Sequence, residues 1–126
     1  MFANTKAFSG FAVDDIAKAK VFYEGTLGLR VSEEGDLLVL HLAGDRHTIV
    51  YPKPDHAPAT YTILNFPVDD VAEAVTKLEA RGVQFERYDG LGQDERGISR
   101  TEDGPVIAWF TDPAGNILSV LEAQED

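Results

Sequence analysis

Cysteine is absent from this chain, so disulfides, thiolate nucleophiles and sulfur-ligated metal sites are all excluded. Positive charge is scarce: 11 lysines and arginines face 22 aspartates and glutamates, a formal net charge of −11 at pH 7. The acids are spread along the sequence, and a polyanion such as nucleic acid would be repelled rather than steered in. No apolar run approaches the roughly 20 residues of a membrane span. The first ten residues, MFANTKAFSG, lack a basic and then apolar secretion signal. Glycine loops for phosphate, nucleophile elbows and basic nucleic-acid stripes are missing as well. A cytoplasmic protein with no membrane or nucleic-acid partner is the expectation.

What is present suits one domain with a real core: 126 residues, 44% of them hydrophobic. Within it one phrase is written twice. FAVDDIAKA begins at Phe11 and FPVDDVAEA at Phe66. In the first copy Phe11 and Val13 alternate as in a strand, Asp14 or Asp15 can cap a helix, and Ile16, Ala19, Tyr23 and Leu27 continue as an apolar helical stripe. In the second, Phe66 and Val68 alternate, Asp70 and Glu73 have capping-box spacing, and Val71, Ala74, Val75 and Leu78 share one helix face. Gly28 before LRV and Gly82 before VQF read as helix-terminating glycines. The copies lie 55 residues apart at the phenylalanines and 54 at the glycines. A chance junction would not hold that register, so the chain reads as two copies of one unit.

After the first helix LRVSEE, DLLVLHLAG and HTIVYP read as strands; after the second, VQFERY, VIAWFT and NILSVLEA do, with DPAG as a tight turn before the last. The prediction is an α+β chain of two βαβββ modules, at about 5–52 and 60–123, joined by the proline-bearing linker YPKPDHAP at about 52–59. The polar, glycine-rich stretch from Asp89 to Gly104 is expected to be a mobile loop or a lid over a site.

Two such modules, with VFYEGTLGLRV in the first and FTDPAGNILSVLE closing the second, resemble the vicinal oxygen chelate superfamily, which holds glyoxalase I, bleomycin-resistance proteins and extradiol dioxygenases. The resemblance covers nearly the whole chain. It implies a curved mixed sheet around a cleft, with a divalent metal held there by His, Gln or Glu side chains from four strands. It also implies where those ligands would stand. The first falls on Phe8, counting back from Asp15; the repeat carries it to Ile63 in the second module. The fourth falls on Ser119, counting on from Asp112, and the second falls on Val50 or Tyr51. None of these is a usual ligand for a divalent cation. Glu122 would point to the opposite face of Ser119's strand, and Asn65, which shares a face with Ile63, offers a lone amide. The expectation is therefore no bound metal and no cofactor, with an apolar pocket floor in the metal's place.

His41 alternates with Leu40 and Leu42 and so faces the cleft or solvent, and of Trp109 and Phe110 one faces the cleft. His47 reads as a surface turn residue and His56 as a solvated linker residue. The expected ligand-binding set is Phe8, His41, Val50, Tyr51, Ile63, Asn65, Trp109 and Ser119. The expected function is metal-free capture of an aromatic or amphipathic small molecule, as in bleomycin resistance. The alternative is a glyoxalase- or dioxygenase-like lyase, isomerase or oxidoreductase, using an unconventional metal site or acid–base work by His41, Ser119 and Tyr51. The family's pairing of modules, and sheet edges left to cover, add the expectation of a homodimer.

Overall fold

The computed structural model describes residues 1–102 and 104–122. Asp103, inside the glycine-rich loop, and Ala123, the expected end of the second module, lie outside the described residues. Two compact units divide the chain, the first spanning Met1–Ala57 and the second beginning at Pro58. Each has one sheet with a helix laid on one face.

The first unit runs β1 (Ser9–Val13), α1 (Ile16–Lys20), a π-helical turn (Val21–Thr26), β2 (Arg30–Glu34), β3 (Leu37–Leu42) and β4 (Arg46–Pro52). The sheet order is β1-β4-β3-β2, with β1 parallel to β4 and the other pairs antiparallel. Of the two aspartates that could cap α1, Asp15 does so: its backbone is extended and its carboxylate accepts the Lys18 N–H at 3.1 Å. The π-helical turn is closed by a Leu27 N–H donated to the Phe22 carbonyl at 2.9 Å. That widened turn buries Tyr23 completely, against Phe11 at 5.7 Å and edge-on to Phe22 at 5.1 Å. Burying a ring of this size contributes about 2–3 kcal/mol. Gly28, at φ +74°, then turns the chain into β2. Phe11, Val13, Ala19, Tyr23, Leu38, Leu40 and Val50 form the core under the helix.

The second unit runs β5 (Thr62–Val68), α2 (Val71–Ala80), β6 (Ile107–Thr111) and β7 (Ile117–Glu122), in sheet order β5-β7-β6. The pairing repeats the first unit: β5 is parallel to β7, and β6 is antiparallel to it. Asp70 caps α2, accepting the Glu73 N–H at 3.1 Å. A second free N–H of that helix, from Val71, is donated to Glu122 Oε2 at 3.0 Å, so the end of β7 holds the start of α2 to the sheet. Gly82, at φ +89°, ends the helix. Val71, Val75, Val83, Ala108, Phe110, Leu118, Val120 and Ile98 make the core.

One expected strand is not formed as such. VQFERY contributes only a single bridge, Phe85 to Phe110, backed by the Glu86 N–H donated to the Trp109 carbonyl at 2.8 Å. The reason lies in the edge it would occupy. Ser99, from the glycine-rich stretch, pairs with Ile107 through bonds of 2.8 and 3.1 Å. Two segments thus share the outer edge of β6, and neither has room to run its length.

The DPAG turn between β6 and β7 is built around one carboxylate. Asp112, 4% exposed, accepts from the N–H groups of Ala114 and Asn116 at 2.9 Å each and from Asn116 Nδ2 at 3.0 Å. Removing it leaves buried donors without an acceptor, at about 1–3 kcal/mol each. Asp112→Ala should therefore destabilise the protein by about 3 kcal/mol in urea unfolding. The exposed cap change Asp70→Ala should cost about 1 kcal/mol. Equal losses for the two variants would contradict this account of the turn.

Candidate functional site

Alternation sorts each sheet into a face under its helix and a far face. In the first unit Leu38 pairs with Val50, Leu40 with Thr48, and Phe11 with Val50; all are buried against α1. The residues between them point the other way. The far face carries Gly10 and Ala12 from β1, Val39 and His41 from β3, His47, Ile49 and Tyr51 from β4, and Arg30, Ser32 and Glu34 from β2. Phe8, just ahead of β1, joins it by stacking on the His47 ring at 5.0 Å and 29°. Phe8 is 57% and Tyr51 40% exposed. His41 is fixed by a 2.7 Å hydrogen bond between its Nε2 and the Ser32 hydroxyl.

In the second unit Ala108, Phe110, Leu118 and Val120 are buried on the side of α2. The far face holds Asn65 and Ser119, which are paired, and Trp109, which is paired with Ser119 from the other side. Ser119 is fully buried and its hydroxyl donates to Asn65 Oδ1 at 2.5 Å. Tyr88 meets the Trp109 ring edge-on at 5.7 Å. Burial first, and the Glu86 carboxylate second, push the Tyr88 phenol above its ordinary value. The pair Trp109 and Phe110 divides as alternation requires, Trp109 outward and Phe110 into the core.

Register moves one expected position and qualifies another. Gly10 pairs with Ile49 and Phe11 with Val50, as Asn65 pairs with Ser119 and Phe66 with Val120. Gly10 and Asn65 hold the same place in the repeat, so the counterpart of Ser119 is Ile49. Val50, 0% exposed, belongs to the core and leaves the candidate set, while Tyr51 stays on the far face. Carrying the repeat through to the last strand of each module would have found Ile49. The extra residues between Asp89 and Gly104 hide that offset. A side chain on Gly10 would meet Ile49 Cγ1 at 2.8 Å, so the glycine is what lets Ile49 lie flat across β1. Ile63 falls at a register shift between Thr62 and Leu64; it is the unpaired extra residue, and its equivalence to Phe8 holds in sequence but not in pairing.

His47 opens the expected strand HTIVYP, which begins one residue earlier as β4, and it is exposed as expected; the pairing sets it directly opposite His41 on β3. The signal was the short AGD connection, which brings residues 41 and 47 into register.

The donor set does not suit the divalent cation of the resembled superfamily. The positions to which the resemblance points carry hydrocarbon in the first unit, at Phe8 and Ile49, and in the second unit hydrocarbon at Ile63 and, at Ser119, one hydroxyl already committed to Asn65. Stripping a cation's water shell beside such groups costs far more than one hydroxyl returns. Among the described residues no three His, Asp or Glu side chains come together to hold a metal. A hollow of about 270 Å³ beside α2 is lined by Val68, Asp69, Asp70, Glu73, Ala74 and Lys77, none of which is on the far face of its own sheet. Its charges are used in the helix itself, Asp70 as cap and Glu73 paired to Lys77 at 3.0 Å.

The glycine-rich stretch is tied to its own unit rather than free. Gln93 accepts the Tyr88 N–H at 2.6 Å and donates to the carbonyls of Glu86 and Gly97 at 2.8 Å each. Arg96 reaches Thr76 and Glu79 on α2, at 2.8 and 3.2 Å, and Ile98 is buried in the core. Asp94 closes the turn, accepting the N–H groups of Ile98 and Arg96 at 3.0 and 2.8 Å and pairing with Arg100 at 2.7 Å. These anchors fill the role that a lid's freedom would need left open.

A two-module α+β protein, each module a parallel pair extended by antiparallel strands and covered by one helix, is thus the class that the fold defines. The chain belongs to the Glyoxalase/Bleomycin resistance protein/Dioxygenase superfamily, whose model matches residues 7–120. The fold is shared with a member of that superfamily from Sphaerobacter thermophilus at 22% identity and TM-score 0.73, covering 98% of this chain and 100% of that one. It is shared with an antibiotic-binding protein from Streptomyces sp. CB03234 at 24% identity and TM-score 0.67, covering 96% and 98%. A lactoylglutathione lyase from Agrobacterium tumefaciens is similar at 23% identity and TM-score 0.68, covering 95% and 94%. No curated protein matches the sequence significantly. No helix among the described residues is long and apolar enough to cross a membrane.

The Asp94 turn gives a pH test. The Ile98 N–H foremost, joined by Arg100 and the Arg96 N–H, holds the carboxyl below its ordinary 3.8 against the opposing effect of burial, which is second in size only to the Ile98 bond. A depressed carboxylate contributes stability that is complete above 3.8 and lost as pH falls through the lower folded value. In NMR titrations the Ile98 amide proton should move with a midpoint below 3.8, and Asp94→Asn should flatten the curve. At neutral pH the Ser99 amide should exchange slowly with no ligand added. A midpoint at or above 3.8 would refute the anchoring role.

Proposed function

We propose that this chain binds an aromatic or amphipathic small molecule on the far face of a sheet and does so without a resident metal. The observation that carries the reading is the side-chain set where the superfamily's ligands would stand: Phe8, Ile49, Ile63 and Ser119. Hydrocarbon there cannot polarise a substrate, but it takes up apolar surface well, at about 25 cal/mol per Å² removed from water. Phe8, Tyr51 and Trp109 add flat faces that stack on rings. The likeness to an antibiotic-binding protein agrees with capture; the likeness to a lyase is one of fold. The exposed edge strand β2 of the first sheet favours a symmetric homodimer.

Protein purified without chelator should carry no stoichiometric Zn, Ni, Mn or Fe, and EDTA should leave Tm unchanged. Flat, partly apolar dyes should raise Tm and perturb Trp109 fluorescence. Phe8→Asp, a change at an exposed site, should abolish the dye effect while leaving the unliganded Tm within a few degrees. About one metal per chain, lost together with stability on chelation, would overturn the reading. Light scattering at micromolar concentration should give about twice the 13.8 kDa chain mass; a monomer would remove the dimer.

A further inference from the structure

Three strands of the first sheet, together with Phe8 just ahead of β1, present one row of side chains on its far face. Arg30 pairs with His41, His41 with His47, and the Phe8 ring stacks on His47. With strands about 4.8 Å apart the row spans roughly 14 Å, the length of a two-ring molecule with a polar head. We propose that Arg30, His41 and His47 form an oxyanion-binding row, so that the ligand taken on this face is an aromatic carboxylate, sulfonate or phosphate whose rings extend over Phe8 and Ile49. This rests on the small-molecule reading and names the ligand's chemical class.

Charge on the page supports an anion. Arg30 makes no ion pair among the described residues, in a chain where acids outnumber bases 22 to 11. The acid on its own strand and face, Glu34, lies about 13 Å along β2. Glu33 points to the helix side and reaches Lys20 at 3.6 Å. Lysine would offer a point charge at such a place, whereas the arginine fork matches an oxyanion bidentately. The imidazoles add N–H donors, and Ser32 fixes the ring of His41 through Nε2. Two cross-strand imidazoles could also chelate a transition metal, but a guanidinium in the next place of the row repels a cation and attracts an anion. The overall charge of −11 repels anions at long range, so capture depends on this row and not on general steering.

The test compares two fluorescent probes that share one ring system, 1-anilinonaphthalene-8-sulfonate and its uncharged parent N-phenyl-1-naphthylamine, on the full chain. The sulfonate should bind about tenfold more tightly, the worth of one charge-assisted hydrogen-bond pair, and its addition should shift the ring resonances of His41 and His47. Arg30→Gln, at an exposed edge position, should remove that preference and leave the uncharged probe's affinity unchanged; Arg30→Lys should restore only part. Equal binding of the two probes, untouched by Arg30→Gln, would overturn the oxyanion row and leave the small-molecule reading standing. Binding of neither probe at millimolar concentration would overturn both. Ring shifts on adding Zn²⁺ but not the sulfonate would make the row a cation site and refute the proposal. A change in oligomeric state on Arg30→Gln, without a change in probe affinity, would refute it too and assign the face to a second copy.

Discussion

A sheet covered by a helix on one side only must place every second residue in a core and every other one outside it, and both modules of this protein depend on that constraint. The parallel pair at one edge of each sheet, β1 with β4 and β5 with β7, sets the phase. Once Phe11 lies beside Val50 and Phe66 beside Val120, the identity of every far-face residue follows. A slip of one residue would bury Tyr51 and Asn65 and expose Val50 and Leu118, which is why the pairing is so firmly specified. The caps serve the same end, since Asp15 and Asp70 start each helix where its apolar stripe meets the sheet.

The chemistry of the far faces follows from what evolution of the repeat left there. At the places to which the superfamily resemblance points for metal donors, the first module has Phe8 and Ile49, and the second has Ile63 and a serine bonded to Asn65. Polar groups remain, but displaced: Arg30, His41 and His47 form a row across the first sheet, and Tyr88, Glu86 and Thr111 gather beside Trp109. The Thr111 hydroxyl reaches Glu86 at 3.4 Å, and the tyrosine is held neutral by burial and that same carboxylate. The two modules share a fold and a register while differing in surface chemistry, one carrying fixed positive charge and the other aromatic and hydroxyl groups.

The second module also shows how an insertion is absorbed. The residues between Asp89 and Gly104 could have stayed a free loop, being rich in glycine and charge. Instead Ile98 enters the core, Ser99 takes half of the β6 edge, and Gln93 satisfies three backbone groups that the missing strand would have satisfied. Backbone donors and acceptors at a sheet edge must find partners, and the insertion supplies them.

Much of this was legible in the chain itself. The duplicated FAVDDIAKA and FPVDDVAEA state the strand, cap and helix of each module, because alternation and capping are local properties that nine residues suffice to encode. Gly28 and Gly82 state the helix ends, because only glycine enters left-handed backbone without strain. The absence of metal ligands could be read from Phe8, Ile63 and Ser119, since residue type alone decides donor chemistry. Tertiary structure decided the rest. Val50 and Ile49 are adjacent and both apolar, and only the pairing with Phe11 and Gly10 says which one leaves the core. His41 and His47 look like unrelated histidines until an antiparallel turn sets them opposite each other. A glycine-rich polar loop looks free until Arg96 meets α2 and Ile98 finds a pocket. In each case the deciding contact joins residues that the chain places apart, and no local pattern carries that information.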